Sequence, residues 1–122
     1  MAERPAISGV GHYVGTTVDG KWWKRYRSRN FFARGNGEYE LDAGRGELRF
    51  RRYLTREPIV LPLDRLEDVT VSTWHAGKWC FGRPVVVLHW REEGRTLSSG
   101  FLFAASDHGG ALALLRERAR SA

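Results

Sequence analysis

From residue 38 to residue 103 the apolar side chains recur with period two in short runs, each closed by turn residues, and after Ser106 the period changes once, to that of a helix. Side chains alternate between the two faces of a strand, whereas residues three and four apart share a helix face. This layout therefore predicts an antiparallel sheet followed by a single helix. In 38–42, Tyr39 and Leu41 point one way, and Ala43, Gly44, Arg45 and Gly46 supply a turn. In 47–54, Leu48, Phe50 and Leu54 face inward while Arg49, Arg51 and Tyr53 face out, the pattern of a half-buried strand. The PIVLPL run at 58–63 is bounded by Pro58 and Pro62, which lack ladder donors and so predict an edge strand or a strand end. Val69 and Val71 alternate with Thr70 and Ser72 in a strand predicted to reach Trp74, and His75, Ala76, Gly77 and Lys78 then turn the chain. PVVVLHWR at 84–91 is the most apolar strand, and a tight hairpin at 92–95 leads into 96–103, where Leu97, Phe101 and Phe103 form one face.

In the last segment Ser106 is the expected N-cap. Asp107 suits the positive end of the helix dipole, and Arg116, Arg118 and Arg120 suit its negative end. Leu112, Leu115 and Ala119 recur at helical spacing, with Ala111 and Leu114 widening the stripe that must lie on the sheet. At 122 residues the chain builds one core, so 12–120 is expected to be a single domain and 1–11 a flexible N-terminus. That N-terminus lacks the basic start and apolar run of a secretory signal, and no stretch approaches the roughly 20 apolar residues that span a bilayer. A cytoplasmic location is expected, with peripheral membrane attachment as the variant to test. Cys80, the one cysteine, excludes an intrachain disulfide and reads as a small buried hydrophobe.

The strand PIVLPL leading through LEDVTV, then PVVVLHW, then GFLF and the terminal helix together resemble the pleckstrin-homology-like superfamily, especially its small bacterial PH-like and GRAM-like domains. The resemblance runs from about Phe31 to Arg118 and implies a mostly β (α+β) fold: a split β-barrel of about seven antiparallel strands with a C-terminal amphipathic helix. In relatives that bind phosphoinositides, basic residues surround the first strand, turn and strand. Lys24, Arg27 and Arg29 follow that spacing only loosely here, and the terminal helix has no tryptophan.

The functional reading rests on two clusters. The segment 20–37 contains no acidic residue and carries Lys21, Lys24, Arg25, Arg27, Arg29 and Arg34, with Trp22 and Trp23 among them; it reads as a solvated face that needs no ligand, as an amphipathic patch for anionic headgroups, or as a patch that tracks nucleic-acid phosphates. Trp22 and Tyr26 fall on one helical face, so a short helix or irregular segment is expected there, leading to a first strand near Phe31 and Phe32. The second cluster, 74–79, places Trp74 and Trp79 on either side of a turn with His75 and Lys78 beside the rings, a composition suited to stacking or interfacial insertion, or else to stapling the loop onto the sheet. Together these predict a non-catalytic binding module with ligand-binding residues Lys21, Trp22, Trp23, Lys24, Arg25, Arg27, Arg29, Trp74, His75, Lys78 and Trp79. The expected partner is an anionic lipid surface or a protein, with self-association through Trp74 or Trp79 as one version. Nucleic acid, favoured by the net charge of +6, comes second. An enzyme comes third, since His12, His75, His89 and His108 have no metal-ligand spacing, and no cofactor or metal is expected. His89 reads as a hydrogen-bonded structural histidine, and the GNG at 35–37 as a turn or bulge in which Gly35 and Gly37 supply backbone freedom and Asn36 tolerates left-handed geometry.

Overall fold

Strand β1 (Ala6–Val18) is long enough to serve two halves of one sheet, and that sharing fixes the architecture. The computed structural model describes residues 6–26, 31, 34–53 and 57–121. The first part of β1 pairs antiparallel with β3 (Gly35–Asp42), from Ala6 opposite Asp42 to Tyr13 opposite Gly35. The second part pairs with β10 (Arg95–Leu102), from His12 opposite Leu102 to Val18 opposite Leu97. Beyond β3 lie β4 (Glu47–Arg52) and then β5 (Ile59–Pro62) at the edge; beyond β10 lie β9 (Val85–Glu92) and β6 (Leu66–Ser72). The order β5-β4-β3-β1-β10-β9-β6 is a sheet split at β1 and left unclosed at its two edges. The proline-bounded PIVLPL strand stands at one of those edges, as its missing donors require.

The concave face holds one core, including Tyr13, Tyr39, Leu41, Leu48, Phe50, Leu88, Trp90, Leu97, Phe101 and Phe103, so the period-two pattern reads these inward residues correctly, whereas in β6 Val69 is core and Val71 is exposed. A chain of hydroxyls crosses it. Trp90 Nε1 donates to Ser99 Oγ at 3.0 Å, Ser99 and Thr16 meet at 2.7 Å, Thr16 and Tyr13 at 2.5 Å, and Tyr13 donates to the carbonyl of Phe31 at 2.6 Å. Polar groups buried this deeply persist because each finds a partner.

Helix α1 (Ala105–Ser121) covers the core with Ala111 and Leu115, both fully buried, flanked by the partly buried Leu112, Leu114 and Ala119. Its N-terminus differs from the sequence expectation. Ser106 lies inside the first turn, and the capping carbonyl is that of Ala104, which accepts from the amides of Asp107 and His108 at 2.9 and 3.0 Å. Alanine has no capping side chain, and Tyr39 of β3 supplies one across the sheet. Its hydroxyl accepts from the Ala104 amide at 3.0 Å and donates to the Asp107 carboxylate. Burial first, and then this bond to Asp107, push the Tyr39 pKa up to about 12.

Three further expectations are corrected. Residues 6–11, assigned above to a flexible tail, pair with β3 along their whole length. The GNG at 35–37 is the start of β3, not a turn: Asn36 has no left-handed φ, and a Cβ at Gly37 would stand 2.2 Å from the Arg51 carbonyl oxygen, so glycine there permits close strand approach. Phe31 is no strand residue but packs at the core's rim against Tyr26 and Trp90, while Phe32 and Leu54 lie outside the described residues.

Candidate functional site

The segment expected to begin as a helix is instead the strand β2 (Lys21–Arg25), which folds back on β1 with Val18 opposite Lys21 and Thr17 opposite Arg25. The reason lies in two residues. Asp19 and Gly20 both take positive φ, 53° and 72°, the geometry that a two-residue hairpin turn demands. Asp-Gly between two strand-forming runs is the strongest short hairpin signal, and it was legible in the sequence. The turn is fixed to the sheet by backbone donation from Asp19 to the Thr96 carbonyl at 2.7 Å and by the Thr96 amide to Asp19 Oδ1 at 3.2 Å. Because β3 leaves β1 at Tyr13, the following edge of β1 would otherwise be unpaired, and β2 covers part of it.

The second cluster, read from sequence as a turn or loop after a strand reaching Trp74, is a hairpin of its own, since β6 ends at Ser72. In it β7 (Trp74–His75) pairs with β8 (Lys78–Trp79), with Ala76 and Gly77 at φ 53° and 82° in the turn. It lies on the convex face of the sheet, over a small second core of Val14, Cys80, Val85, Val87 and Leu102. What staples it there is His75 and not a tryptophan. The His75 ring is buried, and its Nε2 donates to the carbonyls of Gly15 and Ser98 at 3.1 and 3.0 Å. Two glycines make the seat: Gly15, at φ 127° where the β1 register shifts, and Gly100, where a Cβ would stand 2.6 Å from His75 Cδ2. Arg34 ties the same hairpin down, donating to the carbonyls of Val14 and Ala76. Gly100→Ala should therefore lift the ring and cost about 1 to 3 kcal/mol, as overpacking does. Chemical denaturation measures this, and retained stability would show that the hairpin is held without His75.

With His75 turned inward, the large aromatics turn outward. Trp22, Trp23, Trp74 and Trp79 are 53%, 65%, 43% and 56% exposed, and Phe81 is 81% exposed. The two hairpins meet through Trp22, whose ring centroid lies 5.9 Å from that of Trp23 and 5.6 Å from that of Trp74, and which also rests against Gly77. Trp74 pairs in register with Trp79, and Trp79 sits 5.1 Å from Phe81, so the five rings belong to one surface region. Lys21, Lys24 and Arg83 are exposed and Lys78 is half-buried; none of the four forms an ion pair among the described residues. Arg25 ends β2, whereas Arg27 and Arg29 lie outside the described residues.

Between the hairpins runs a cleft of about 220 Å³, walled by Trp22 and Trp74 and floored by Thr70, His75, His89 and Ser98. His89 is the hydrogen-bonded structural histidine its position predicts, with Nε2 2.8 Å from Thr70 Oγ1 and Nδ1 2.8 Å from Ser98 Oγ. Burial holds its pKa below the usual 6.5, against a smaller upward pull from Asp68. On the other side of the β7–β8 hairpin, His12 is held below 6.5 as well, by burial first and then by Lys78, Arg34 and Arg83, against the bond to Asn36. Both rings bind their protons more weakly folded than unfolded. Their contribution to stability is thus complete above 6.5 and is lost as pH falls through the folded pKa values. The melting temperature should drop on acidification below pH 6.5, and His89→Gln should flatten that drop; a flat profile in the wild type would contradict both assignments.

The strand order, with β1 shared between halves and a helix across the open face, now stands beside one result from comparison with known families. A family model described as bacterial PH domain-like matches residues 2–115. The chain belongs to that bacterial PH domain-like family. Members of the PH-like class serve in general as non-catalytic binding modules, which accords with the exposed aromatic surface. Among curated proteins the chain has no match. In this PH-like domain the excursion between β1 and β3 and the one between β6 and β9 carry the two hairpins. Sequence reasoning had missed Phe81. It holds φ 56° beside Gly82 at 77°, in a turn closed by the Arg83 amide on the Cys80 carbonyl at 3.0 Å. A bulky residue in left-handed geometry is a signal that sequence alone does not carry.

Proposed function

We propose that this PH-like domain docks on an anionic membrane surface through its two convex-face hairpins. The observation that carries the reading is the joined set of exposed rings at Trp22, Trp23, Trp74, Trp79 and Phe81, bordered by cations that have no ion-pair partner among the described residues. Tryptophan suits the boundary between headgroups and acyl chains because its ring is apolar while its N–H still needs a polar partner. A basic side chain near an anionic bilayer contributes about 1 kcal/mol, so several of them provide attraction while the rings provide insertion. Neither 20–37 nor 69–91 contains an acidic residue to oppose that contact.

The strained Phe81 supports the same reading. A left-handed backbone costs a residue with a side chain about 1 to 2 kcal/mol, and strain of this kind is kept where it serves a function. Phe81→Asn should leave stability unchanged or raised, because asparagine tolerates that geometry, while vesicle binding weakens. The test is sedimentation with vesicles of phosphatidylcholine alone and of phosphatidylcholine with phosphatidylglycerol, at low and high salt. Binding that requires the anionic lipid, falls with salt and weakens in Phe81→Asn is the expected result. Failure to bind anionic vesicles at low salt would end the membrane reading. A wild-type dimer that Trp79→Ala converts to a folded monomer would assign the rings to self-association, and retention of an oligonucleotide in place of vesicles would assign the cations to phosphate backbones.

A further inference from the structure

The cleft between the two hairpins differs in chemistry from the cationic surface around it. Trp22 and Trp74 meet at 64° with centroids 5.6 Å apart, so they form a corner with two apolar faces rather than a pair of parallel plates. Below them lie Thr17, Thr70, Ser72, His89 and Ser98, and among the described residues no Lys, Arg, Asp or Glu side chain lines the cleft. We propose that this corner binds a neutral sugar ring, with one apolar face against an indole and its hydroxyls toward Thr70 and His89.

Three features carry this assignment. The first is neutrality. Lys21 and Lys24 are exposed on the neighbouring β2, yet the cleft holds no cation to meet an anion and no carboxylate to meet an ammonium, and burial keeps the His89 ring neutral at neutral pH. A charged group entering it would lose hydration without gaining an opposite charge, which is costly. The second is the floor. His89 Nε2 is 2.8 Å from Thr70 Oγ1, and His89 Nδ1 is 2.8 Å from Ser98 Oγ. A neutral imidazole has one donor nitrogen and one acceptor, so one of these hydroxyls gives its proton to the ring, while the other takes the ring's proton and keeps its own. Swapping the tautomer exchanges those roles. Thr70 is exposed and His89 half-buried, so the Thr70 end of the relay is within reach of a ligand. It offers either a proton or lone pairs there, and a sugar hydroxyl, itself donor and acceptor, matches both states. The third is shape. At about 220 Å³ the cleft is smaller than the roughly 300–1,000 Å³ of sites for drug-sized molecules, and it has room for one ring. A pyranose carries C–H groups on its face and hydroxyls around its rim, so an indole contacts the face while the floor meets the rim.

Only the sugar's source rests on the proposed membrane docking: it is either the headgroup of a glycolipid or a free saccharide. The test begins with methyl glucoside and methyl galactoside, following the indole N–H signals by NMR. One of the two should move the Trp22 and Trp74 signals at millimolar concentration and leave that of Trp90, buried in the core, in place. Thr70→Val keeps the side chain's shape and removes its hydroxyl, and it should weaken that binding about tenfold, as loss of one hydrogen bond does. Trp74→Ala should abolish it. Thr70 is exposed on an edge strand, and thermal melting checks that both variants fold. Cyclohexanol, a ring without the rim of hydroxyls, should bind far more weakly, because it leaves the floor unmatched. Vesicles of fixed phosphatidylglycerol content are then compared with and without the diacylglycerol glycolipid of the bound sugar. A preference for the glycolipid that Thr70→Val removes identifies a lipid source, and sugar binding without that preference identifies a free one. Indole signals that neither glycoside moves, cyclohexanol bound as tightly as the sugar, or an equal sugar affinity in Thr70→Val overturns the site whatever the vesicles do. Sugar binding with no vesicle binding overturns the membrane reading and leaves the site standing.

Discussion

Trp23→Ala combined with Trp79→Ala should lower affinity for anionic vesicles about a hundredfold while the domain stays folded. The two rings sit on different hairpins and are 65% and 56% exposed, so removing them takes little from the core. A tryptophan side chain presents on the order of 150–250 Å². Burying about 60 Å² of the exposed part of one at a membrane boundary is worth about 1.5 kcal/mol at roughly 25 cal/mol per Å², which is about tenfold. With no ring contact between Trp23 and Trp79, the two losses should add. Vesicle sedimentation beside thermal melting reads both halves of the expectation. Equal affinity in the double variant would show that the cations alone hold the domain, and a collapsed melting temperature would show that the rings are structural.

Leu115→Ala should cost about 2 to 5 kcal/mol, the range for truncating a buried leucine. Leu115 is fully buried in the core on the same helix stripe as Ala111, and α1 packs against β6 and the turn at Leu63–Arg65. The helix is also tied at both ends, by Tyr39 at Ala104 and Asp107 and by Arg118 Nη1 donating to the Ala43 carbonyl at 3.1 Å. These ties resist collapse around the cavity, which favours the upper part of the range. Denaturant unfolding with an unchanged slope is the measurement, and a loss below about 0.5 kcal/mol would place the stripe outside the core.

These two predictions also mark what the sequence made legible. Leu115 was readable because burial acts through period, and a helix stripe or an alternating strand prints its period in the residue order. The aromatic surface was readable as composition but not as geometry. Trp22 and Tyr26 at helical spacing pointed to a helix, and the competing Asp19-Gly20 turn decided for a hairpin; local turn chemistry overrode a four-residue periodicity. His75 was grouped with its neighbours as a ligand-facing residue. Its burial depends on Gly15 and Gly100, which lie 60 and 25 positions away in the chain, and so on strand register that no local pattern announces. The tie between Tyr39 and Asp107 is hidden for the same reason, because the sequence offered Ser106 as a cap and the fold supplied a side chain from β3.

The central claim is that the convex-face tryptophans enter a membrane boundary. Fluorescence quenching by lipids brominated on their acyl chains reads this directly, with Trp90, buried in the core, as the internal reference. On vesicles containing phosphatidylglycerol, brominated lipid should quench most of the tryptophan emission and leave a protected fraction from Trp90. A domain that binds these vesicles with its emission unquenched would contradict the account, because the rings would then be outside the bilayer.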